Sequence, residues 1–345
     1  MNSMRRLACL LVLFSSFPLS AQEASFIAPL AKSSVLLDAK VGDYLVVVGE
    51  RGHVLLSEDG EVFEQVQVPT QSTLTAVSMI GDNIWAAGHD AVILYSGDRG
   101  ATWTVQNYEP ELERPFLDLH FFDVNEGIAI GAYGLFYRTV DGGLTWQPER
   151  HAELLDPMDQ EYLNEIRQES EEFYLQELDS ILPHLNRVSE SGDALFMAGE
   201  TGLLASSSDR GKSWQRLSAN YAGSFFDIKA VDQQGTLLAV GLRGNAFVSE
   251  SGETWTKVQT CTTATLNSLY HHEDNTWIAV GNNGVITRLQ LPLQQALDAP
   301  ASQCDSLSEV TTTQTADKSA IVNLVSVRDQ VFAVSAQGIQ LLDLK

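Results

Sequence analysis

Basic residues are scarce in this chain of 345 residues: 21 lysines and arginines stand against 45 acids, a formal net charge of −24. That balance argues against partners that are read by clustered Lys and Arg, namely nucleic acid and anionic lipid surfaces. Long apolar runs are scarce too, and beyond residue 21 none approaches the roughly 20 unbroken apolar residues of a membrane-spanning helix. Only three cysteines occur, without a Cys-x-x-Cys pair, and there is no Walker loop and no Gly-x-Ser-x-Gly elbow. Phosphate-cradle and nucleophile-elbow chemistry therefore have no foothold, and neither a cofactor nor a metal is expected.

What is present begins with a leader. In "MNSMRRLACLLVLFSSFPLSAQ" two arginines precede an apolar run that ends in small residues at Ala21, the pattern of a secretory signal peptide. Ala8 stands where a twin-arginine signal wants a bulky residue, and Cys9 precedes most of the apolar run, the wrong place for a lipoprotein cysteine. Cleavage is expected after Ala21, leaving 19 basic residues against 45 acids in a periplasmic protein. Only Cys261 and Cys304 then remain. Export favours pairing them, and closing the 43-residue separation would stabilise by about 4 kcal/mol. The repeat register opposes the pairing, because it puts the two near opposite ends of neighbouring outer strands.

The chain repeats itself seven times. A β-rich run, a Gly-x-x-Gly-like turn and a second β-rich run appear as "YLVVVGERGHVLLS", "IWAAGHDAVILYS", "IAIGAYGLFYRT", "LFMAGETGLLAS", "LLAVGLRGNAFVS", "WIAVGNNGVITR" and "VFAVSAQGIQLL". Their first glycines are Gly49, Gly88, Gly131, Gly199, Gly241 and Gly281, with Ser335 in the seventh place, so the steps are 39, 43, 68, 42, 40 and 54 residues. A period near 40 built from short strands predicts a seven-bladed β-propeller with four strands, a to d, per blade. The seventh unit stops after its third strand, and "ASFIAPLA" at 24–31 is expected to supply the fourth and close the ring. Two insertions interrupt the period, a helical one at 150–183 and a loop at 291–306.

Between strands c and d a second signature recurs as "SGDRGATW", "TVDGGLTW" and "SSDRGKSW". Asp98, Asp141 and Asp209 can accept backbone N–H bonds inside such a turn, Gly100, Gly143 and Gly211 permit positive φ, and Trp103, Trp146, Trp214 and Trp255 offer large apolar plates for blade junctions. The pattern decays to "SESGETW" at 249–255 and to "SEDGEVF" at 57–63, where Phe63 replaces the tryptophan. Repetition with such decay is the behaviour of architecture rather than of catalysis.

Ser/Thr-x-Asp-x-Gly-x-Thr/Ser-Trp is the Asp-box, or bacterial neuraminidase repeat. Together with the glycine pairs, it makes residues 30–345 resemble the photosystem II stability and assembly factor family of seven-bladed propellers. The resemblance implies an exported, non-enzymatic, protein-binding propeller that assists a membrane complex. It also implies the partner class, a membrane protein complex or, in relatives from non-photosynthetic bacteria, a component of a resistance-nodulation-division exporter. The long acidic insertion and the missing boxes of units six and seven depart from the compact photosynthetic members. Sialidases share the Asp-box, so a sialidase-like glycoside hydrolase or a glycan-binding propeller is the alternative. Their Phe/Tyr-Arg-Ile-Pro motif is absent from the corresponding "SFIAPLAKSSVLL".

Two sets of residues are candidates for partner binding. If strand direction alternates, Arg51 and Arg243, third in their b–c turns, lie on the face opposite the Asp-boxes, where a guanidinium can grip a partner carboxylate. The insertion emerges on that same face. Asp156 caps a helix begun by Pro157, Ser170 can restart a second one, and Tyr162, Ile166 and Phe173 fall on one side while Tyr174, Leu178 and Ile181 continue a shifted stripe. The segment is either a lid on the propeller or a docking element. "HHEDN" at 271–275 reads as a solvated turn, since adjacent histidines on an extended segment point apart.

The processing expectation is checked by intact-mass analysis of exported material: the chain should begin at Gln22. A retained leader would overturn the assignment of the periplasm.

Overall fold

The computed structural model describes residues 23–344, so the expected leader and its cleavage point lie outside the described residues. Six antiparallel sheets of four strands and one of three follow each other along the chain, each ordered as consecutive neighbours. Blade 1 illustrates the plan, with strand a at Leu36–Val41, b at Leu45–Gly49, c at Val54–Ser57 and d at Glu64–Val66. The inner strands a of blades 2 to 7 are Leu74–Ile80, Phe116–Phe121, Leu185–Ser191, Phe225–Ala230, Leu266–Glu273 and Ile321–Val327. Seven sheets in this order make a seven-bladed β-propeller.

The core is divided among the junctions between blades, which is why strand b is apolar on both sides. Leu45 and Val47 of blade 1 pack towards blade 7, while Val46 and Val48 pack towards blade 2. In blade 2 the same alternation sends Ile84 and Ala86 one way and Trp85 and Ala87 the other. A period of two thus serves two interfaces at once.

Strand a carries a second regularity. In all seven blades its pairing with strand b slips after the first residue, at Leu36/Asp38, Leu74/Ala76, Leu185/Arg187, Phe225/Asp227, Leu266/Ser268, Ile321/Asn323 and, in blade 3, opposite Ile130/Gly131. This bulge re-aims the second and third residues out of the sheet, and the blades are latched through them. In blades 1, 3 and 5 the third residue is an aspartate whose carboxylate accepts a backbone N–H of the next blade: Asp38 from Val77 (3.0 Å), Asp118 from Val188 (2.7 Å) and Asp227 from Leu269 (2.8 Å). In blades 2, 4 and 6 the second residue reaches forward to a carbonyl: Thr75 Oγ1 to Phe116 O (2.6 Å), Asn186 Nδ2 to Phe225 O (2.7 Å) and Asn267 Nδ2 to Ile321 O (2.9 Å).

Ring closure differs from the expectation. Blade 7 has three strands, and residues 24–28 do not add a fourth; they run beside strand d of blade 1. There Ser25 N donates to Val68 O (2.8 Å), Ala28 N to Gln65 Oε1 (2.7 Å) and Gln65 Nε2 to Phe26 O (2.7 Å). The short turn that follows, Ala31–Ser33, lies against the last strand, where Lys32 O occupies the space that a Cβ on Gly338 would need. Closure rests instead on side chains. Asn323 Nδ2 donates to Asp38 Oδ1 (2.8 Å), joining blade 7 to blade 1 across 285 residues, and Leu324, Phe332 and Ile339 of blade 7 belong to its junctions, the latter two packing with Leu36 and Leu55 of blade 1.

The register objection to the disulfide also fails. Cys261 and Cys304 are bonded, with Cα atoms 5.6 Å apart. The loop between strands c (Val285–Gln290) and d (Val310–Gln314) of blade 6 folds back along the outer strand of blade 5, pairing Leu297 with Val258 and sending Gln259 N to Ala296 O (2.8 Å). Among the described residues no helix is long and apolar enough to cross a membrane.

Replacing Asp38 by Ala orphans two donors, the Val77 N–H at the junction of blades 1 and 2 and the Asn323 amide at the ring seam. At about 1–3 kcal/mol for each buried donor left unpaired, urea unfolding should show a loss of roughly 2–6 kcal/mol. A loss below about 1 kcal/mol would refute the importance of the two Asp38 latches.

Candidate functional site

The two faces of the ring are built from different turns. On one face lie the b–c turns. The first glycine of each pair has an extended backbone and is required by contact rather than by conformation: a Cβ on Gly49, Gly88, Gly131, Gly199, Gly241 or Gly281 would come within 1.9 to 2.5 Å of the carbonyl oxygen that precedes strand a. The next N–H uses that carbonyl, as Glu50 N does with Val35 O and Leu242 N with Ser224 O. The third turn residue is then forced into the left-handed region, with φ between 52° and 60° at Arg51, Asp90, Tyr133, Thr201, Arg243 and Asn283. A side chain at such a position stands out from the turn, and all of these except the half-buried Asp90 are exposed.

Arg51 and Arg243 therefore do sit on this face, in blades 1 and 5. They do not converge, because blades 6 and 7 lie between them the short way round. No ion pair holds either guanidinium among the described residues. Tyr133 of blade 3 is half exposed and makes an edge contact with His184 at 4.5 Å.

The opposite face carries the Asp-boxes, and their carboxylates are consumed locally. Asp209 accepts from Ser213 N (3.0 Å), Ser213 Oγ (2.6 Å) and Ser207 Oγ (2.7 Å), while Gly211 N donates to Ser207 Oγ (2.9 Å). Asp98 and Asp141 repeat the arrangement with Thr102 and Ser96, and with Thr145 and Thr139. Gly100, Gly143 and Gly211 all have φ between 75° and 87°. Trp103, Trp146 and Trp214 are buried in successive junctions, and Trp255 is partly buried in its own; the indole N–H of Trp103 donates to Gly100 O and that of Trp255 to Gly252 O. The hydroxyl bond from Ser213, against some desolvation, holds the Asp209 carboxyl down at about 2, and the Thr102 and Thr145 hydroxyls lower Asp98 and Asp141 in the same way.

Residues that the sequence reading missed line the axis. Asp38, Asp118 and Asp227 are buried, and Arg187, the third residue of strand a in blade 4, approaches Asp38 at 4.0 Å and feels the charge of all three. Burial pushes the guanidinium pKa down, but the fields of Asp118, Asp227 and Asp38 outweigh it and raise it. Lys229 adds a contact to Asp227 at 3.4 Å. The recurrence of "LLDAK", "FLDLH" and "FFDIK" at the start of alternate repeats was the available signal.

The insertion forms two helices, α1 (Pro157–Glu169) and α2 (Glu171–Ile181), capped by Asp156 accepting from Met158 N and by Ser170 accepting from Phe173 N. Its seat on the propeller differs from the expected stripe. Leu155, Leu163, Tyr174, Leu178 and Leu182 are buried together, with Ile166 and Ile181 partly buried against them, whereas Tyr162 and Phe173 are exposed. The hairpin is fastened by Arg150, which binds both carboxylate oxygens of Asp179, and by Arg114 Nη2 donating to Asp179 O (2.8 Å). Gly134 N donates to Pro183 O (2.9 Å), which places the end of the hairpin beside the b–c turn of blade 3. "HHEDN" forms the end of one strand and its turn in blade 6, and among the described residues no group of three or more His, Cys, Asp and Glu is disposed to hold a metal.

A family model described as photosynthesis system II assembly factor YCF48 matches residues 106–299. The photosystem II assembly lipoprotein Ycf48 of Synechococcus sp. (strain CC9902) is 25% identical over 170 residues, which is 49% of this chain and 44% of that protein, so the match spans less than half of the curated relative. Among solved structures, YCF48 bound to D1 peptide superposes with a TM-score of 0.64 at 16% identity, covering 94% of this chain and 97% of that one. YCF48 from Cyanidioschyzon merolae gives 0.60 at 17% identity over 91% and 96%. The WD40 β-propeller domain of Doa1 gives 0.58 at 11% over 94% and 97%. At these identities the structural likenesses speak for the fold.

A carboxyl held below its unfolded value contributes stability that is complete above about pH 4 and disappears as pH falls towards 2. Asp209→Asn should therefore be less stable than the native chain at pH 5, and the two urea-unfolding curves should converge on acidification to pH 2. Curves that stay parallel would show that the box carboxylate is not ionised and bonded in the folded state.

Proposed function

The chain belongs to the photosystem II assembly factor YCF48 family, and from that premise we propose that it is an exported, non-catalytic propeller that holds a segment of a membrane protein during assembly of its complex. In this reading residues 1–21 are a leader removed after Ala21, and 22–345 form the propeller, with insertions at 150–183 and 291–306. The protein works on the periplasmic side of the membrane. The observation that carries the reading is the contrast between the two faces: the Asp-box carboxylates are bound within their own turns, while the b–c face presents a ring of left-handed turn residues with outward side chains. Such a ring offers several separated contacts to an extended chain and no enclosed chemistry.

Arg51 and Arg243 serve this face as two anchor points for carboxylates of the bound segment. Their separation across two intervening blades suits a peptide lying over the ring better than a single small anion. A relative solved with a D1 peptide supports a polypeptide as the class of ligand. The exposed ring of Tyr133 adds an apolar contact in blade 3.

The test is copurification of the chain with membrane proteins of its own cell after mild crosslinking. Arg51→Glu combined with Arg243→Glu should reduce recovery of the partner at least ten-fold and leave thermal unfolding within a few degrees of the native chain, since both side chains are exposed. Undiminished recovery would refute the assignment of this face. Turnover of fluorogenic glycosides abolished by one carboxylate substitution would establish the glycosidase alternative instead.

A further inference from the structure

The α1–α2 hairpin buries one side in a small core of its own, is fastened beside blade 3, and leaves another side uncovered. On α1, Met158 and Tyr162 are spaced four residues apart, and on α2 Phe173 and Glu177 are likewise one turn apart. The Tyr162 hydroxyl donates to Glu177 Oε1 (3.3 Å), which brings the two rows together into one face. Met158 is 79% exposed, Phe173 64% and Tyr162 48%, far above what large apolar side chains retain once packed.

Charge on this face has one sign. The two helices carry eight acids and a single basic residue, Arg167. That guanidinium is already bound to both oxygens of Glu171 and lies 4.7 Å over the Tyr174 ring, so it neutralises nothing on the uncovered side. Glu161, Glu165, Glu169 and Glu172 are all exposed beside the apolar row. The field excludes an anionic lipid surface and repels a second copy of this acidic chain.

We propose that this face docks a basic amphipathic segment of a partner protein, whose apolar side covers Met158, Tyr162 and Phe173 while its lysines and arginines meet the flanking glutamates. The 13 residues of α1 span about 20 Å, which matches a partner helix of three to four turns lying in register with it. The face is formed by the helices and not by the b–c turns, and neither Arg51 nor Arg243 belongs to it.

The probe is a fluorescein-labelled 18-residue amphipathic peptide of Leu and Lys, titrated against the full exported chain and followed by anisotropy. A peptide of equal charge with every Leu replaced by Ser measures attraction to the acidic chain as a whole. The Leu/Lys peptide should bind at least ten-fold more tightly than the Ser/Lys peptide. Phe173→Ser with Met158→Ser, two exposed side chains outside the hairpin's buried cluster, should remove that advantage while thermal unfolding is unchanged. Glu161→Lys with Glu165→Lys should weaken binding of both peptides and flatten its salt dependence. Arg51→Glu with Arg243→Glu should leave binding unaltered, so that failure of the turn-ring reading and failure of this one give different results. Equal binding of the two peptides, or an undiminished advantage in the Phe173/Met158 variant, would overturn the proposal.

Discussion

A carboxylate that accepts a backbone N–H from the next blade holds this ring together. Each blade is a small sheet that satisfies its own ladder, and nothing in the ladders joins one sheet to another. The apolar junctions supply most of the attraction but little direction, because aliphatic surfaces slide. The bonds from Asp38, Asp118 and Asp227 fix the sliding coordinate at every second junction, and the forward bonds of Thr75, Asn186 and Asn267 fix it at the others. An alternating scheme cannot close on an odd number of blades without a change of rule. Here the change is Asn323, whose amide binds the side chain of Asp38 instead of a backbone group. Three buried aspartates on the inner strands would repel one another, and Arg187 and Lys229 offset this.

The same economy separates the two faces. Both kinds of turn must orient a glycine-rich chain reversal, but they do so with different donors and acceptors. The Asp-box uses its own side chains, which leaves the box carboxylates saturated within their turns. The b–c turn uses the backbone carbonyl ahead of strand a, so the turn does not depend on its third side chain: Arg51, Asp90, Tyr133, Thr201, Arg243 and Asn283 share a backbone conformation and no chemistry, although Asp90 accepts from Ser72 and Tyr133 packs on His184. Variation without structural penalty is what a recognition surface needs.

Legibility in the sequence followed the range of the interactions. The seven repeats, the box turns and the glycine pairs were readable because each is closed within about a dozen residues. The first glycine was read as a turn residue, whereas its real constraint is a carbonyl of strand a that passes too near for a Cβ. The latches were not read, since a bulge of one residue is invisible to a strand pattern and the bonding partners lie 39 to 70 residues away. The expected closing strand failed for a related reason: residues 24–28 are committed to Gln65, Gln67 and Val68 on the outer edge of blade 1. The cysteines looked badly placed only while the loop after strand c of blade 6 was imagined running straight; folded back along blade 5, it brings Cys304 to Cys261.

The position of the helical hairpin follows from this design. Asp118 and Val188 form a latch across 70 residues of chain, and the whole insertion is looped out between them. Because the junction of blades 3 and 4 has its own apolar cluster and its own latch, the chain between the two strands carries little of the burden of joining them. Entropy penalises a longer loop only weakly, about 0.6 kcal/mol for each doubling of length. An insertion there could therefore acquire its own small core of Leu163, Tyr174, Leu178 and Leu182, fasten itself through Asp179, and keep an uncovered side. The ring remains the rigid part and the hairpin the variable one, and the acidic, aromatic face that the hairpin presents is under no obligation to the fold that carries it.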